Sequence, residues 1–422
     1  MQRICIAILC LSALQVSSTS AQGTSNPAPL APILAKASSE YTVLNSVISQ
    51  PDRYRVQIIY TQIDRNEENQ PKLTSFHFNV DPGRYYYPAS TVKLPLALLA
   101  LEWLNQQNIA GLTSQTTMLT DAVAPWQSAR LTDETAGNGF PSVAHYIKKV
   151  LLVSDNEGSN RLYELLGQDR INQNLSAKGL THTLINHRLS QPLSAEQNRV
   201  VNPIRFMVGD KLILQLPART SLSSYTNVDQ PTVGKANIQQ GKLVSKPMAF
   251  TDKNRMSLTD FDAVIKRLVF PQLFPATQRF NITESDRELV LRYMSMPPSH
   301  SSSPAYDVSD YPDNYAKFLL FGGAPQAIPD HIKVFNKTGW AYGHYIDGAY
   351  IVDVKHKLEF FLIAVIYAND NDILNDDNYQ RDETAIPFLR QLGQFFYQYE
   401  LSRPKAFVAD LSEIQRVTAP EQ

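Results

Sequence analysis

The chain has 422 residues, and 39 Lys+Arg against 40 Asp+Glu leave a formal net charge of -1. That balance argues against a phosphate-dominated surface, so no nucleic acid partner is expected. Hydrophobic residues at 43% and charged residues at 19% are ordinary globular usage and exclude global disorder.

At about 150 residues per domain the length suggests two or three compact units, although one large α/β domain absorbs as many. The first residues read as an export signal. Arg3 is a short positive region, Ile4 to Val16 is apolar, and Thr19, Ser20 and Ala21 offer small residues at a cleavage point. A buried N-terminal helix or a signal anchor is the alternative. A lipoprotein reading through Cys10 fails because Leu9 precedes it. The expected location is periplasmic or secreted. No later run reaches 18 apolar residues, so no stable membrane span is expected.

Both cysteines, Cys5 and Cys10, fall in residues 1–21. The exported chain is therefore expected to carry no disulfide, no thiolate nucleophile and no Cys-ligated zinc. The eight histidines show neither His-x-His nor His-Glu-x-x-His spacing, so no metal and no cofactor are expected.

Residues 22–40, with Pro27, Pro29 and Pro32, read as a mobile linker. Residues 55–64 and 73–80 have strand composition around a polar hairpin loop at 65–72. Residues 89–105 suit a buried helix. Residues 141–190 look helical, most clearly at 154–167 and 169–178. Residues 205–255 then change to short β-type runs joined by polar turns. Helical pattern returns at 257–269 and 283–294, opened by the capping-box-like starts Ser257 to Asp260 and Thr283 to Asp286. The proline-rich segment 297–313 reads as an exposed loop. Strands at 345–354 and 359–368 flank a turn, 383–401 is a last helix, and 402–422 is left as a tail. The order predicts an α/β (α+β) fold: an antiparallel sheet from both chain ends, flanked by helices, with an all-helical lobe inserted.

Three short motifs carry candidate chemistry: Ser90-Thr91-Val92-Lys93, Ser154-Asp155-Asn156 and Lys337-Thr338-Gly339. The first pattern is weak alone, because Ser402-Arg403-Pro404-Lys405 repeats it after the last helix, where Pro404 leaves nothing to hold the pair together. In the 90–93 copy, helical spacing puts Ser90 and Lys93 on one face, within hydrogen-bond reach. A serine hydroxyl needs a base, and Lys93 serves only if burial and a nearby cation hold it partly neutral. The apolar run Leu94 to Leu101 supplies burial, and Lys337 supplies a second charge. Ser90 at a helix start also aims backbone N–H groups at a developing oxyanion. Pro95 is expected to remove a helical hydrogen bond and kink the helix. Taken alone, the motif reads more simply as a buried helix with a snorkelling lysine.

Asn156 can orient a substrate amide, and Ser154 can relay a proton to a leaving group. Alone, Ser-Asp-Asn is a common helix start. Lys337 and Thr338 can bind a carboxylate, and Gly339 lets a ligand approach the backbone just before the 345–354 strand. Together, in this order, the three motifs are hard to explain as accidents.

The set resembles the class A β-lactamase and penicillin-binding-protein superfamily of active-site serine enzymes. The 64-residue interval from Ser90 to Ser154 and the position of Asn160, four residues after Asn156, extend the likeness. So does the stretch KTGWAYGHYIDGAYIVD, followed by a second strand and a helix; the resemblance covers residues 41–401. It implies a β-lactamase/transpeptidase-like fold in which Ser90 is the acylated nucleophile and Lys93 its base or proton shuttle. Ser154 would pass the proton to the leaving nitrogen, and Asn156 would hold the acyl-amide side chain. Lys337, Thr338 and Gly339 would bind the substrate carboxylate, and the backbone N–H groups of Ser90 and Trp340 would form the oxyanion hole. The expected partner is a small-molecule β-lactam or a cell-wall peptide, acted on by a monomer.

Two departures stand out. The family's lactamases carry a loop Glu that activates the deacylating water, a few residues after an Arg-Leu pair. Arg188-Leu189 is present, but the expected position falls near Leu193 and the nearest acid is Glu196. Glu196 is the candidate base if the loop is reshaped, and a solvated carboxylate otherwise. Second, Ser154 and Lys337 are 183 residues apart, so 205–255 is the expected insertion, a flap or subdomain beside the site. An Arg that assists carboxylate binding is missing from 340–352; His344 is the nearest polar substitute, and a surface His is the plainer reading. The expected activity is β-lactam hydrolysis through a Ser90 acyl-enzyme. The alternatives are a D,D-peptidase (a penicillin-binding protein) or an esterase with slow β-lactam deacylation, and a non-catalytic binding protein of this fold.

Overall fold

The computed structural model describes residues 27–419, so the export signal read at 1–21 lies outside the described residues. Its centre is a six-stranded sheet of β1 (Ala28–Pro29), β2 (Gln57–Arg65), β3 (Pro71–Phe78), β4 (Ile332–Ala341), β5 (His344–Asp353) and β6 (Leu358–Tyr367). The order across the sheet is β1-β3-β2-β6-β5-β4. Every pairing is antiparallel except the short parallel edge of β1 on β3. The two ends of the chain meet where β2 pairs with β6, with Ile59 opposite Ile363.

The helices that matter for the site are α1 (Lys93–Gln107), α2 (Val143–Val153), α3 (Asn156–Leu166), α4 (Leu258–Val269), α5 (Glu284–Ser295) and α6 (Ile386–Ser402). Strand alternation sorts the core into two faces. Ile58, Tyr60 and Leu362 pack under Phe388, Leu392 and Phe396 of α6, whereas Ile59, Phe361 and Ile363 face α1 and α4. Every residue of β5 and β6 is buried. A sheet covered on both sides needs apolar residues at consecutive positions, which is what these strands carry.

The expected caps form: Ser257 accepts a hydrogen bond from the Asp260 N–H, and Thr283 from the Asp286 N–H. Each cap contributes about 1 kcal/mol by satisfying an amide the helix leaves free. Pro95 is the third residue of α1. Its missing N–H is one that has no helical partner anyway, so the expected loss of a hydrogen bond does not arise.

Three other expectations are corrected. Residues 28–34, expected within a mobile linker, add the edge strand β1 and a helical turn, Ala31–Leu34, whose Ile33 and Leu34 are buried. The prolines suit that edge because an edge strand leaves one row of N–H groups unused. The tail folds back too: Ser412–Val417 is helical, with Leu411, Ile414 and Val417 buried. The Lys337-Thr338-Gly339 motif, read as the approach to a strand, lies inside β4, where Lys337 pairs with Gly348 and Thr338 with Asp347.

The middle lobe has a helical core with small sheets at its rim. Thr117–Thr120, Ile204–Val208 and Lys211–Leu216 form one of them. Further along, Ala236–Gln239 pairs with Lys242–Val244 and with Ile373–Leu374 near the end of the chain.

Candidate active site

The three motifs arrive at one cleft from three places. Ser90 sits in a tight helical turn, Ala89–Val92, that runs into α1. Ser154 ends α2 and Asp155 caps α3 by accepting from the Gly158 N–H at 2.6 Å. The helix-start reading and the site reading of Ser154-Asp155-Asn156 thus hold together. Lys337 comes from β4. Ser90, Ser154, Asn156 and Trp340 line a cleft of about 360 Å³ with Tyr87 and Ser190.

Lys93 is fully buried. Its ammonium donates to the Ser154 carbonyl, to Asn156 Oδ1 at 2.7 Å and to Ser154 Oγ at 3.4 Å. The expected Ser90–Lys93 hydrogen bond is therefore absent among the described residues: the lysine reaches across to the α2–α3 junction. Burial pulls its pKa from the usual lysine range down to about 7, against a smaller opposing pull from Asp155. Lys337 is buried as well, and donates to Ser154 Oγ at 2.8 Å and to the Thr338 carbonyl at 2.9 Å. Burial, then repulsion from Lys93, hold its pKa well below normal, with Asp347 opposing. Two lysines thus share one serine hydroxyl, and their repulsion disfavours both carrying a charge at once.

Gly339 explains how β4 comes so close. A Cβ on it would stand 2.6 Å from the Pro88 carbonyl oxygen and 3.0 Å from the Ser90 nitrogen. Glycine is thus required where the strand passes the turn that carries Ser90. Thr338 is buried outside the cleft lining, and its hydroxyl has no hydrogen-bond partner. Trp340, stacked edge-on against Tyr315, does line the cleft.

Four non-glycine residues of the lining have positive φ: Ala89 (47°), Ser154 (59°), Ser190 (56°) and Tyr342 (52°). Each such conformation costs on the order of 1 kcal/mol and persists where the surroundings enforce it, which is typical of functional sites. At Ser190 the enforcing contacts are visible. Asn160 holds Leu189 by both backbone groups, at 2.8 and 3.0 Å, and Asn156 Nδ2 donates to Ser190 Oγ at 2.9 Å. Arg188 is pinned to Glu164 of α3 at 2.9 Å.

Glu196 does not join this group. It lies on the short helix Ala195–Arg199, exposed, and accepts from Ser194 Oγ at 3.0 Å. Hydrogen bonds from its own backbone N–H and from Ser194 hold its pKa below normal, so it is a solvated carboxylate. No residue of the cleft lining is an Asp or Glu. His344 is also corrected: it is buried rather than on the surface, and burial pushes its pKa down to about 3, so it carries no charge for a substrate carboxylate.

Sequence reasoning missed Ser190, although it directly follows the Arg188-Leu189 pair. It also missed Phe250 of the 205–255 region, which is fully buried against Tyr85, Tyr87 and Tyr342, with ring centroids 5.5, 5.8 and 5.2 Å away. That region therefore props the cleft wall through one aromatic side chain.

Among solved structures the chain is similar to a β-lactamase from Sphaerobacter thermophilus, at 12% identity over 86% of this chain and 98% of that one, with a TM-score of 0.48. It is similar to PBP-A at 15% identity over 88% and 98%, TM-score 0.46. A β-lactamase from Xanthomonas campestris matches at 14% identity over 84% and 98%, TM-score 0.45. No curated protein matches the sequence. The β-lactamase enzyme family profile matches residues 41–280, a span that holds Ser90, Lys93, Ser154 and Asn156 and ends before Lys337. With more than half of its length matched, the chain belongs to the β-lactamase enzyme family.

Proposed function

We propose that this protein is a serine acyl-enzyme hydrolase that opens β-lactam rings quickly and releases the product slowly, as a penicillin-binding peptidase does. The observation that carries the reading is the cleft lining, which brings three serines and an amide together without a carboxylate. Ser90 attacks the lactam carbonyl while Lys93, buried and near neutrality, takes its proton, directly or through Ser154. The C–N bond breaks, and Ser154, bonded to both lysines, gives the leaving nitrogen its proton. The N–H groups of Ser90 and Trp340 receive the oxyanion. Asn156 orients the acyl-amide side chain, and Lys337, beside Ser154, attracts the substrate carboxylate, whereas Thr338 lies outside the cleft lining.

Hydrolysis of the resulting ester needs an activated water. With Glu196 in solvent, Lys93 is the base left to serve it, and deacylation is slow. The physiological substrate class on this reading is a cell-wall peptide, met by an exported monomer. A second reading, a fast β-lactamase, is favoured by one observation: a lysine with a pKa near 7 is itself a competent base. Turnover of a chromogenic cephalosporin separates the two. Slow deacylation gives a burst equal to the enzyme concentration and then a slow steady rate, with neither in Ser90→Ala. Rapid linear turnover without a burst means a fast β-lactamase.

A further inference from the structure

We propose that the end of the sheet remote from Ser90 is a binding site for a divalent transition-metal ion, formed by His331, Asp353 and His356. Nothing in the sequence spacing announces it, because the two histidines are 25 residues apart. The fold brings them together. The β4–β5 register sets Ile332 opposite Asp353, which puts His331 beside that carboxylate, and the turn after β5 returns His356 to it.

Asp353 is fully buried, unusual for a carboxylate, and is held from below. Its Oδ1 accepts the N–H groups of Lys355 and His356 at 2.8 and 2.9 Å, and its Oδ2 accepts the Tyr397 hydroxyl at 2.6 Å. Both imidazoles converge on the same Oδ2: His356 Nδ1 at 2.7 Å and His331 Nε2 at 3.9 Å. The second distance is too long for a hydrogen bond. The three donor atoms all lie within 4.8 Å of one another.

A tetrahedral zinc ion with bonds of roughly 2.0–2.2 Å spaces its donors about 3.3–3.5 Å apart. The Asp353–His356 contact must open by less than about an ångström and the Asp353–His331 contact close by about half of one. The two histidine nitrogens, within 4.8 Å of each other, must close by up to about 1.4 Å. The imidazoles are 35% and 42% exposed, so each has a side open to solvent. His356 would exchange the proton it shares with Asp353 for the metal and carry its own proton on Nε2. Two imidazoles and a carboxylate suit zinc, copper or nickel rather than calcium or magnesium. Tyr397 supplies the outer hydrogen bond that orients metal-binding carboxylates. Lys355 and Lys357 on the same turn repel a cation, which argues for an exchangeable ion. The ion would tie the start of β4, the β5–β6 turn and α6 together. It lies at the start of β4, where His331 is six residues before Lys337, and takes no part in the acyl chemistry.

The test is calorimetric titration of untagged, chelator-stripped full-length protein with Zn2+. The wild type is expected to bind one equivalent and melt at a higher temperature with zinc than without. His356→Ala and His331→Gln should each lose at least tenfold in affinity and all of the melting shift, while still acylating Ser90, which shows that they are folded. Absence of zinc uptake by the wild type, or equal uptake by both variants, overturns the proposal.

Discussion

Lys337 donates to the Ser154 hydroxyl at 2.8 Å from a strand 183 residues further along the chain. That bond joins the sheet to the helical lobe across the cleft, and Lys93 reaches the same hydroxyl from the helix that follows Ser90. Both lysines thus converge on Ser154.

Acylation by a penicillin should lose rate as pH falls through about 7. Burial depresses the Lys93 pKa to about 7, so the base is neutral above that pH and protonated below it. The second-order acylation rate measured from pH 5 to 9 checks this. Lys93→Ala should flatten the profile and lower the plateau by roughly 100- to 10,000-fold, the range for losing a general base.

Glu196→Gln should leave both acylation and turnover within about twofold of wild type, because the side chain is in solvent and outside the cleft lining. Ser190→Glu should do the opposite. Ser190 faces the cleft and is bonded to Asn156, itself bonded to Lys93, so a carboxylate there supplies the missing base. Deacylation rates for the two variants, measured by loss of the adduct, separate the assignments.

Gly339→Ala should damage the nucleophile turn. The new Cβ meets the Pro88 carbonyl and the Ser90 nitrogen, both backbone atoms that cannot rotate away. Overpacking of this kind costs typically about 1–3 kcal/mol. A lower melting temperature together with at least a tenfold loss of acylation is expected; unchanged acylation would show that the close approach is not needed.

Phe250→Ala should test what the 205–255 region does. Removing a buried Phe costs about 3–5 kcal/mol, and here it also frees Tyr87 and Tyr342 of the cleft wall. Acylation should saturate at higher β-lactam concentration with little change in its limiting rate. A fall in the limiting rate alone would place the region's influence on the reacting groups instead.

The sequence carried the site's polar chemistry because its motifs are short and locally placed: Ser90 and Lys93 on one turn, Ser154 and Asn156 at one helix junction. Strand β4 was not legible, and its burial explains why. Asn336, Lys337 and Thr338 look like loop residues, yet they are buried in a sheet. Their polarity is met largely from elsewhere: Lys317 Nζ donates to Asn336 Oδ1 at 2.7 Å, and Asn336 Nδ2 donates to Asp347 Oδ1 at 2.7 Å. Such long-range satisfaction leaves no local pattern. Glu196 misled for the converse reason. It was only the nearest acid to the expected position near Leu193, and Ser194 caps a helix there and turns the carboxylate to solvent. The prolines of residues 27–32 suggested a linker, and only the edge of β3 shows what they pair with.

The most direct test of the account is intact mass over time after mixing with a penicillin, for wild type and Ser90→Ala. The account predicts a rapid one-to-one adduct on the wild type that persists long after free drug is removed, and none on the variant. An adduct that clears within one mixing time, or no adduct with any β-lactam class, would contradict it.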